Sequence, residues 1–590
     1  MHKLDKFAIA AALQEIGRLL ELKGGGNRFK ARAYHTGARA VAAIAGDIGR
    51  TIQEDRLTAI PGIGNALASQ IKQLHLTGSS SVLEGLKTEF PPGIIELSGL
   101  PGLSPAKIAN LHEALGVTSI AELQAAADAG RVRNVKGFGA KTEQRLLELI
   151  ANHDRDSKTE KRFHLHHAQR IGTQALDYLK TAAGLKEVSF AGSLRRWQET
   201  VGTIRIVGSS NRPAALVEHF LRFPMIVKIE DQTDTSCSVQ MTEGARVSLR
   251  AVEPNQFALA LFWETGSEAH LSKLHEIASR QGLDLDRQAL KIKINRVAKG
   301  KSLSSGRRPL EIRKESDVYP LLHMQYVPPE LREDEGEIEA ASNKTLPEDL
   351  VTQDDIQGMV HCHTTYSDGK NSIEEMARAA EAMGMKYLTI TDHSPTASYA
   401  GGLKLDRLQR QWDEIGETQE KVKVKLLKGT ESDILADGRL DYPDRVLEQF
   451  DVVIASIHSR YKMDSEKMTR CLITAMRQPI FKIWGHALGR LIQRRPPFEC
   501  DVERVLDAIA ESRAAIEVNG DPHRLDMEPR WIREARKRKI KFVISVDAHS
   551  AGALNNLKYG VGIARRGWLR RGEVLNTLAV KAFAKAVQPG

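Results

Sequence analysis

The chain has 590 residues, 41% of them hydrophobic and 27% charged, which excludes a disordered polymer and is too long for one core, so three or more domains are expected. A formal net charge of +10 and a pI near 9.2 point to a polyanionic partner. Four dispersed cysteines (Cys237, Cys362, Cys471, Cys500) with no Cys-x-x-Cys pair argue against a disulfide scaffold, and the lack of a bilayer-spanning run or signal-peptide core leads us to expect a cytoplasmic protein away from membranes.

Residues 5–50 read as helical, with apolar residues at helical spacing through "FAIAAALQEIGRLLEL" and "ARAVAAIAGDI". Between these runs Lys23, Arg28, Lys30, Arg32 and Arg39 form a basic patch. Three related segments follow: "LTAIPGIGNALASQIKQL" (57–74), "LSGLPGLSPAKIANLHEAL" (97–115) and "VRNVKGFGAKTEQRLLELI" (132–150). Each places a glycine turn before a helix, where backbone N–H groups can hold one phosphate without reading a base. These segments resemble helix-hairpin-helix motifs. The first keeps Gly62 and Gly64 and the third Gly137 and Gly139, while the middle one keeps Gly102 but has Ser104 at the second position. DNA binding is expected here. An abasic lyase would need a lysine amine held near a DNA end; Lys23 and Lys30 are available, but nothing singles out a catalytic lysine.

The middle third contains "AGSLRRWQET" (191–200), "TGSEAH" (265–270) and "YVPPELREDEGEIEAA" (326–341). With these motifs, residues 1 to about 340 resemble the bacterial branch of the family X DNA polymerases. The resemblance implies that Gly192, Ser193 and Arg196 hold a phosphate, a role that suits a backbone turn beside a guanidinium. It also implies two aspartates on one strand and a third from a neighbouring strand, together holding two metal ions. The matching positions here are Thr203, Arg205 and Ser248, so all three acids are absent and one is reversed in charge. Trp263 and Glu264 replace the family's Tyr-Phe pair, and Glu199 and Asp231 do not restore the missing acids. A palm without polymerase activity is expected, acting as scaffold or DNA platform.

After a polar connector the pattern alternates strand and helix. Seven candidate strands follow: "MVHCH", "KYLTIT", "VKLLKGTE", "VVIASIH", "FKIWGH", "AAIEVNG" and "KFVISVDAH". This repetition argues for parallel strands with crossover helices, closed into a barrel. His361 and His363 lie two apart on the first strand and so point to one side. The other strands end in Asp392-His393, Glu431, His458, His486 and Asp547-x-His549, with Asp368 in the loop after the first. Six of the seven strands thus deliver metal-capable side chains at the end where barrel enzymes assemble their sites.

The motifs "HCHTTYSDG", "TDHS", "GTESDILADG", "SIHSR", "GHALGR" and "VDAHS" resemble the polymerase-and-histidinol-phosphatase (PHP) family. By that resemblance the ligands are His361, His363, Asp368, His393, Glu431, His458, His486, Asp547 and His549, holding up to three ions, Mn²⁺ or Zn²⁺. Val360 stands where the family has an aspartate, a position outside this set. Such a centre activates water for attack on a phosphate ester, with Glu431 as the carboxylate between ions and Arg460 and Arg490 as the expected grips on substrate phosphate.

The expected fold is therefore a multidomain chain, part all-α and part α/β. It comprises a helical helix-hairpin-helix region (1–155), a degenerate nucleotidyltransferase-like palm and thumb (156–340), a linker (341–355) and a distorted (β/α)7 PHP barrel (356–590). The resemblance implies a monomeric, metal-dependent DNA phosphoesterase, a 3′-to-5′ exonuclease that cleans 3′ ends in base-excision repair on gapped DNA or DNA with a 3′ end. The alternatives are a polymerase with replacement ligands, a non-catalytic repair scaffold and a small-molecule phosphatase. No protein partner can be read from the sequence.

Overall fold

The computed structural model describes residues 4, 6–23, 25–42, 48–60, 62–90, 94, 97, 103, 105–140, 142–144, 146–147, 161–285, 290–294, 297–298, 301–302 and 306–590. The chain forms two compact units, Met1–Arg162 with Ala214–Leu249, and Phe163–Pro213 with Arg250–Gly590.

In the first unit, helix α1 (Lys6–Lys23) buries Ile9, Leu13, Ile16 and Leu20 along one stripe. That stripe joins a core with Ala31 and Val41 of α2 (Arg28–Ala42), Ile71 and Leu74 of α3 (Asn65–Thr77), and Leu83 and Leu86 of α4 (Ser81–Glu89). A second core gathers Ile108 and Leu111 of α5 (Pro105–Leu115), Leu123 and Ala127 of α6 (Ile120–Asp128), and Val132, Val135 and Leu146. Helices α4 and α6 begin at Ser80 and Ser119, whose hydroxyls accept from Leu83 N at 3.3 Å and Glu122 N at 3.2 Å. These caps satisfy donors that the first helical turn leaves free.

The first and third glycine turns share one geometry. Gly62 and Gly137 have φ of +92° and +88°, a region that costs glycine little and other residues more. The residue between the glycines is pinned by its amide, Ile63 N to Ile60 O and Phe138 N to Val135 O, each at 3.0 Å. A Cβ at Gly64 or Gly139 would meet nothing within 4 Å, so the outer side of both turns is open. Gly102 lies outside the described residues, as do the side chains of Arg28 and Arg39. Lys30 and Arg32 are exposed on α2, while Lys23 is paired with Glu89.

The second unit opens with α7 (Leu165–Leu179) and the antiparallel pair β1 (Leu185–Ala191) and β2 (Thr203–Ser210), in register Ala191 opposite Arg205. Helices α8 (Phe257–Thr265) and α9 (Glu268–Arg280) follow, and a core with Phe262, Leu274, Tyr319 and Val327 holds the thumb-like segment together.

The rest is a parallel seven-stranded sheet: β3 (Gly358–Met359), β4 (Tyr387–Ile390), β5 (Lys425–Asp433), β6 (Val452–Ser456), β7 (Lys482–Trp484), β8 (Ala514–Asn519) and β9 (Lys541–Ser545), paired in that order. Helices α10 (Ile373–Ala382), α11 (Leu405–Gln419), α12 (Ser465–Met476), α13 (Val502–Ala510), α14 (Pro529–Lys537) and α15 (Leu557–Arg566) alternate with the strands or follow the last. Parallel strands need such crossovers, and strands covered on both faces read as continuous apolar runs. The sheet curls until its first and last strands meet. At one rim His363 N donates to Ala548 O (2.8 Å) and Ala548 N to His361 O (3.0 Å). Near the other, the buried Asn576 amide donates to Gly358 O (3.0 Å) and Ile544 O (2.7 Å) and accepts from Ile544 N (3.0 Å). The first strand is regular only over Gly358–Met359, because beyond it the backbone turns to bridge the last strand.

Candidate metal centre

The C-terminal rim of the barrel gathers all nine side chains that the strand-end pattern singles out. Glu431 stands at the middle. Its Oε2 lies 3.5 Å from His361 Nε2, 3.5 Å from His363 Nε2 and 3.0 Å from His393 Nδ1. Its Oε1 lies 3.1 Å from His458 Nε2 and 2.8 Å from His486 Nε2. Asp547 Oδ1 is 3.1 Å from His363 Nε2 and 3.5 Å from His361 Nε2. On the open side, Asp368 Oδ1 is 3.3 Å from His549 Nε2, 3.6 Å from His393 Nε2 and 3.8 Å from His363 Nδ1.

Eight of these side chains, all but His486, form three overlapping groups able to hold a cation: His363, Asp368, His393 and His549; His361, His363, Glu431 and Asp547; and His393, Glu431 and His458. Within each group the donor atoms lie within 4.8 Å of one another. The buried atoms His361 Nε2, both ring nitrogens of His363, His393 Nδ1 and Glu431 Oε2 have no hydrogen-bond partner. Buried polar atoms without partners are costly, and these converge on shared points, so the donor set fits metal ions. Mixed imidazole and carboxylate ligation suits Zn²⁺ and Mn²⁺ alike.

The electrostatics agree. Burial raises the Glu431 carboxyl, but His458, His361 and His393 outweigh it and hold the group well below the usual carboxylate range. Asp547 behaves likewise, with His361 and His363 outweighing burial. Burial lowers His458, yet Glu431 and Asp433 push it up to about 10, and burial with its histidine neighbours takes His393 down to about 4. Without metal the carboxylates hold protons on some of these rings, and a bound ion would displace them. His486 (φ +24°), Asp547 (+52°) and Arg460 (+61°) occupy left-handed backbone, a strain that persists where the surroundings over-determine it, often at functional sites.

The sequence reading missed the groups that orient the ligands. Glu517 Oε1, on β8, lies 2.6 Å from His361 Nδ1, and Glu517 also takes hydrogen bonds from Ser545 Oγ and His486 N. Asp433 Oδ1 lies 2.8 Å from His458 Nδ1. Such partners set tautomer and ring angle. Buried Asp392 is a positioning group too, accepting from Thr364 N (2.8 Å), Gln411 Nε2 (2.6 Å) and Ser367 Oγ, which fixes the loop that carries Asp368.

The two expected phosphate grips sit in different surroundings. Arg490 is buried, donating from Nη2 (2.7 Å) and Nη1 (3.1 Å) to Glu199 and from Nε to Arg524 O (2.9 Å). The exposed Arg460 donates to Ile434 O at 3.0 Å. Arg524 reaches the centre: its Nε lies 3.4 Å from Asp547 Oδ2, and its buried Nη1 has no hydrogen-bond partner. Exposed Tyr399 stands at the mouth, its ring 6.2 Å from that of His393 and 6.3 Å from that of His458.

At the expected phosphate turn of the palm, protein groups lie close by. A Cβ on Gly192 would lie 3.0 Å from Arg205 Cδ, so the stem of Arg205 covers the turn. Arg196 donates to Glu333 Oε1 and Thr265 O, both at 2.7 Å, and Ser193 O accepts from Gln198 N at 3.0 Å. Thr203 and Arg205 lie on β2, and Ser248 on the strand Arg246–Val252.

A parallel barrel with clustered imidazoles and carboxylates on one rim, in a chain that also carries helix-hairpin-helix and thumb segments, defines a metal-dependent hydrolytic enzyme with DNA-binding modules. Family models match in the same places: "Helix-hairpin-helix domain" over residues 5–80, "SAM-like Helix-hairpin-helix tandem" over 94–150, "DNA polymerase beta thumb" over 260–333 and "PHP domain" over 360–521. The "DNA polymerase/3'-5' exonuclease PolX" of Bacillus subtilis (strain 168) is 34% identical over 591 residues, covering 99% of this chain and 100% of that protein. A protein named "Probable phosphatase" from Caldanaerobacter subterraneus subsp. tengcongensis is 32% identical over 32% of this chain and 74% of its own length. Another, from Thermoanaerobacter sp. (strain X514), is 29% identical over 37% of this chain and 89% of its own length. The chain belongs to the PolX family of DNA polymerases with a C-terminal PHP domain. No helix among the described residues is long and apolar enough to cross a membrane.

Proposed function

We propose that the protein is a metal-dependent DNA phosphoesterase, a 3′-to-5′ exonuclease that also cleans 3′ ends in base-excision repair, with a palm that no longer polymerises. The observation that carries this reading is the contrast between the two candidate sites. The barrel rim presents eight side chains in three cation-capable groups, with His486 against Glu431 beside them, whereas the palm has Thr203, Arg205 and Ser248 at the positions the family gives to aspartate. When bound, two or three ions (Mn²⁺ or Zn²⁺) would supply Lewis acidity and an activated water.

The chain's own residues do the rest. His361, His363, Asp368, His393, Glu431, His458, His486, Asp547 and His549 would hold the ions, with Glu431 belonging to two of the three groups. Arg524 binds a non-bridging phosphate oxygen through its unpartnered Nη1. Tyr399 offers a ring on which a terminal base stacks. The glycine turns at Gly62 and Gly64, and at Gly137 and Gly139, hold backbone phosphates of gapped DNA or of DNA with a 3′ end. A soluble, cytoplasmic monomer is part of the same reading.

A duplex ending in a 3′-phosphate tests it. Incubation with the protein and Mn²⁺ should create a 3′-hydroxyl that an added polymerase extends, and an unchanged end contradicts the proposal. The resemblance to proteins named as phosphatases favours a second reading, a small-molecule phosphatase. Turnover of histidinol phosphate with an untouched DNA end would select it.

A further inference from the structure

The acid-free palm keeps an unbroken set of protein contacts along Arg195–Glu199, the segment that follows the Gly-Ser turn. Arg195 donates from Nη1 and Nη2 to Glu315 at 2.8 Å each, and Arg196 and Gln198 donate to Glu333. The Trp197 ring lies on Gly562 of α15, so close that a Cβ there would meet Trp197 Cε3 at 2.4 Å. Glu199 ends the run by taking both Nη1 and Nη2 of Arg490.

Arg490 passes this anchor to the centre. Its Nε and Nη2 donate to the backbone carbonyls of Arg524 and Leu525, and its amide and that of Leu488 reach Asp526 Oδ2 at 3.4 and 3.0 Å. The same loop is held from a second side. The exposed ring of His523, one residue before Arg524, lies 5.2 Å from His164 and 5.0 Å from His166 at the start of α7. These two palm contacts are joined, because Leu165 N donates to Glu199 O at 3.0 Å. Arg524 itself points to Asp547 of the centre.

We propose that Glu199 is a positioning residue for the phosphoesterase centre: through Arg490 it fixes the backbone of residues 524–526, and so sets the guanidinium of Arg524 against the substrate phosphate. The former nucleotide-binding segment of the palm has become a brace for the hydrolytic site. Arg490 is only 7% exposed, so removing the Glu199 charge leaves a buried cation without its bidentate carboxylate, with Glu528 3.4 Å from its Nη1 and Asp526 nearby as the remaining charges. A side chain displaced by about 1 Å from a reacting phosphate can lose on the order of a hundredfold in rate.

This inference rests on the reading of the barrel as a phosphoesterase, and the test separates the two. Hydrolysis of bis-p-nitrophenyl phosphate with Mn²⁺ is followed for wild type, Glu199→Gln, Glu199→Asp, Arg524→Ala and the double variant Glu199→Gln/Arg524→Ala, with bound metal and melting temperature measured for each. Glu264→Gln serves as a palm control. We expect Glu199→Gln to lower kcat/KM roughly ten- to a hundredfold with metal content unchanged, Glu199→Asp to recover part of the loss, and Glu264→Gln to match wild type. Combined with Arg524→Ala, Glu199→Gln should add nothing further. Full activity in a folded, metallated Glu199→Gln variant, or losses that multiply in the double variant, would overturn the positioning role. An inactive wild type would instead overturn the phosphoesterase reading.

Discussion

Arg205 Nη1 lies 3.5 Å from Glu264 Oε2, and Arg250 Nη1 lies 3.5 Å from Glu264 Oε1. An internal ion-pair triad thus forms around Arg205, on the strand that also carries Thr203. Arg205→Asp would set one carboxylate beside another with only Arg250 to offset them. Because Arg205 is half exposed, the loss in stability should be modest, about 0.5–1 kcal/mol in urea unfolding, with no gain of nucleotide incorporation.

At the barrel rim Glu431 belongs to two of the three ligand groups, and Asp368 to one. Glu431→Gln should therefore lose more than one ion per chain, and Asp368→Asn only one, when metal content is measured after gel filtration. Equal losses would show that Glu431 does not join neighbouring ions.

Glu517 touches no expected substrate but holds His361 Nδ1 at 2.6 Å. Glu517→Gln should weaken metal affinity by about 10- to 100-fold, read by competition with a chromogenic chelator. Unchanged affinity would mean that the ring is oriented by packing alone.

The glycine turns give a paired prediction in the first unit. Gly62 has φ +92°, and its Cβ would come within 2.9 Å of Thr36 Cγ2, whereas a Cβ on Gly64 meets nothing. Gly62→Ala should cost about 1–2 kcal/mol of stability and Gly64→Ala should be nearly neutral, as measured by thermal unfolding of the full chain.

Lys482 on β7 is buried and donates to Met476 O at 2.9 Å and to Gln478 O. Burial, with the nearby Arg513, lowers its pKa to about 8. The unfolded chain keeps its proton up to the ordinary lysine value near 10.4, so it binds more protons than the folded chain between these limits. Stability contributed by this group rises with pH across that window, by up to about 3 kcal/mol, and is lost as pH falls through 8. Lys482→Met should remove this slope from unfolding curves between pH 8 and 10.5.

The parallel barrel and the gathering of its rim were legible because strand ends mark the rim. His361 and His363, two apart, and Asp547 and His549, two apart, reach the same region from the first and last strands. The orienting acids were harder to see, since Glu517 reads as one polar residue in an apolar strand. The signal was there: a carboxylate between Ile516 and Val518, in a strand buried on both faces, must have a partner. Neither Arg460 nor Arg490 could be told apart from Arg524 by position along the chain. Arg490 is taken up by Glu199, 291 residues away along the chain, a pairing that spacing does not reveal. The covering of Gly192 by the stem of Arg205 was equally hidden, because it depends on the register that places Ala191 opposite Arg205.

The most direct test follows a 5′-labelled primer–template with the purified protein, Mn²⁺ and all four deoxynucleoside triphosphates, beside the His361→Ala/His363→Ala variant. The wild type should only shorten the primer from its 3′ end, and the variant should leave it unchanged. A primer that lengthens in either protein would show that the palm still polymerises despite Thr203, Arg205 and Ser248, and would contradict the assignment of the chemistry to the barrel.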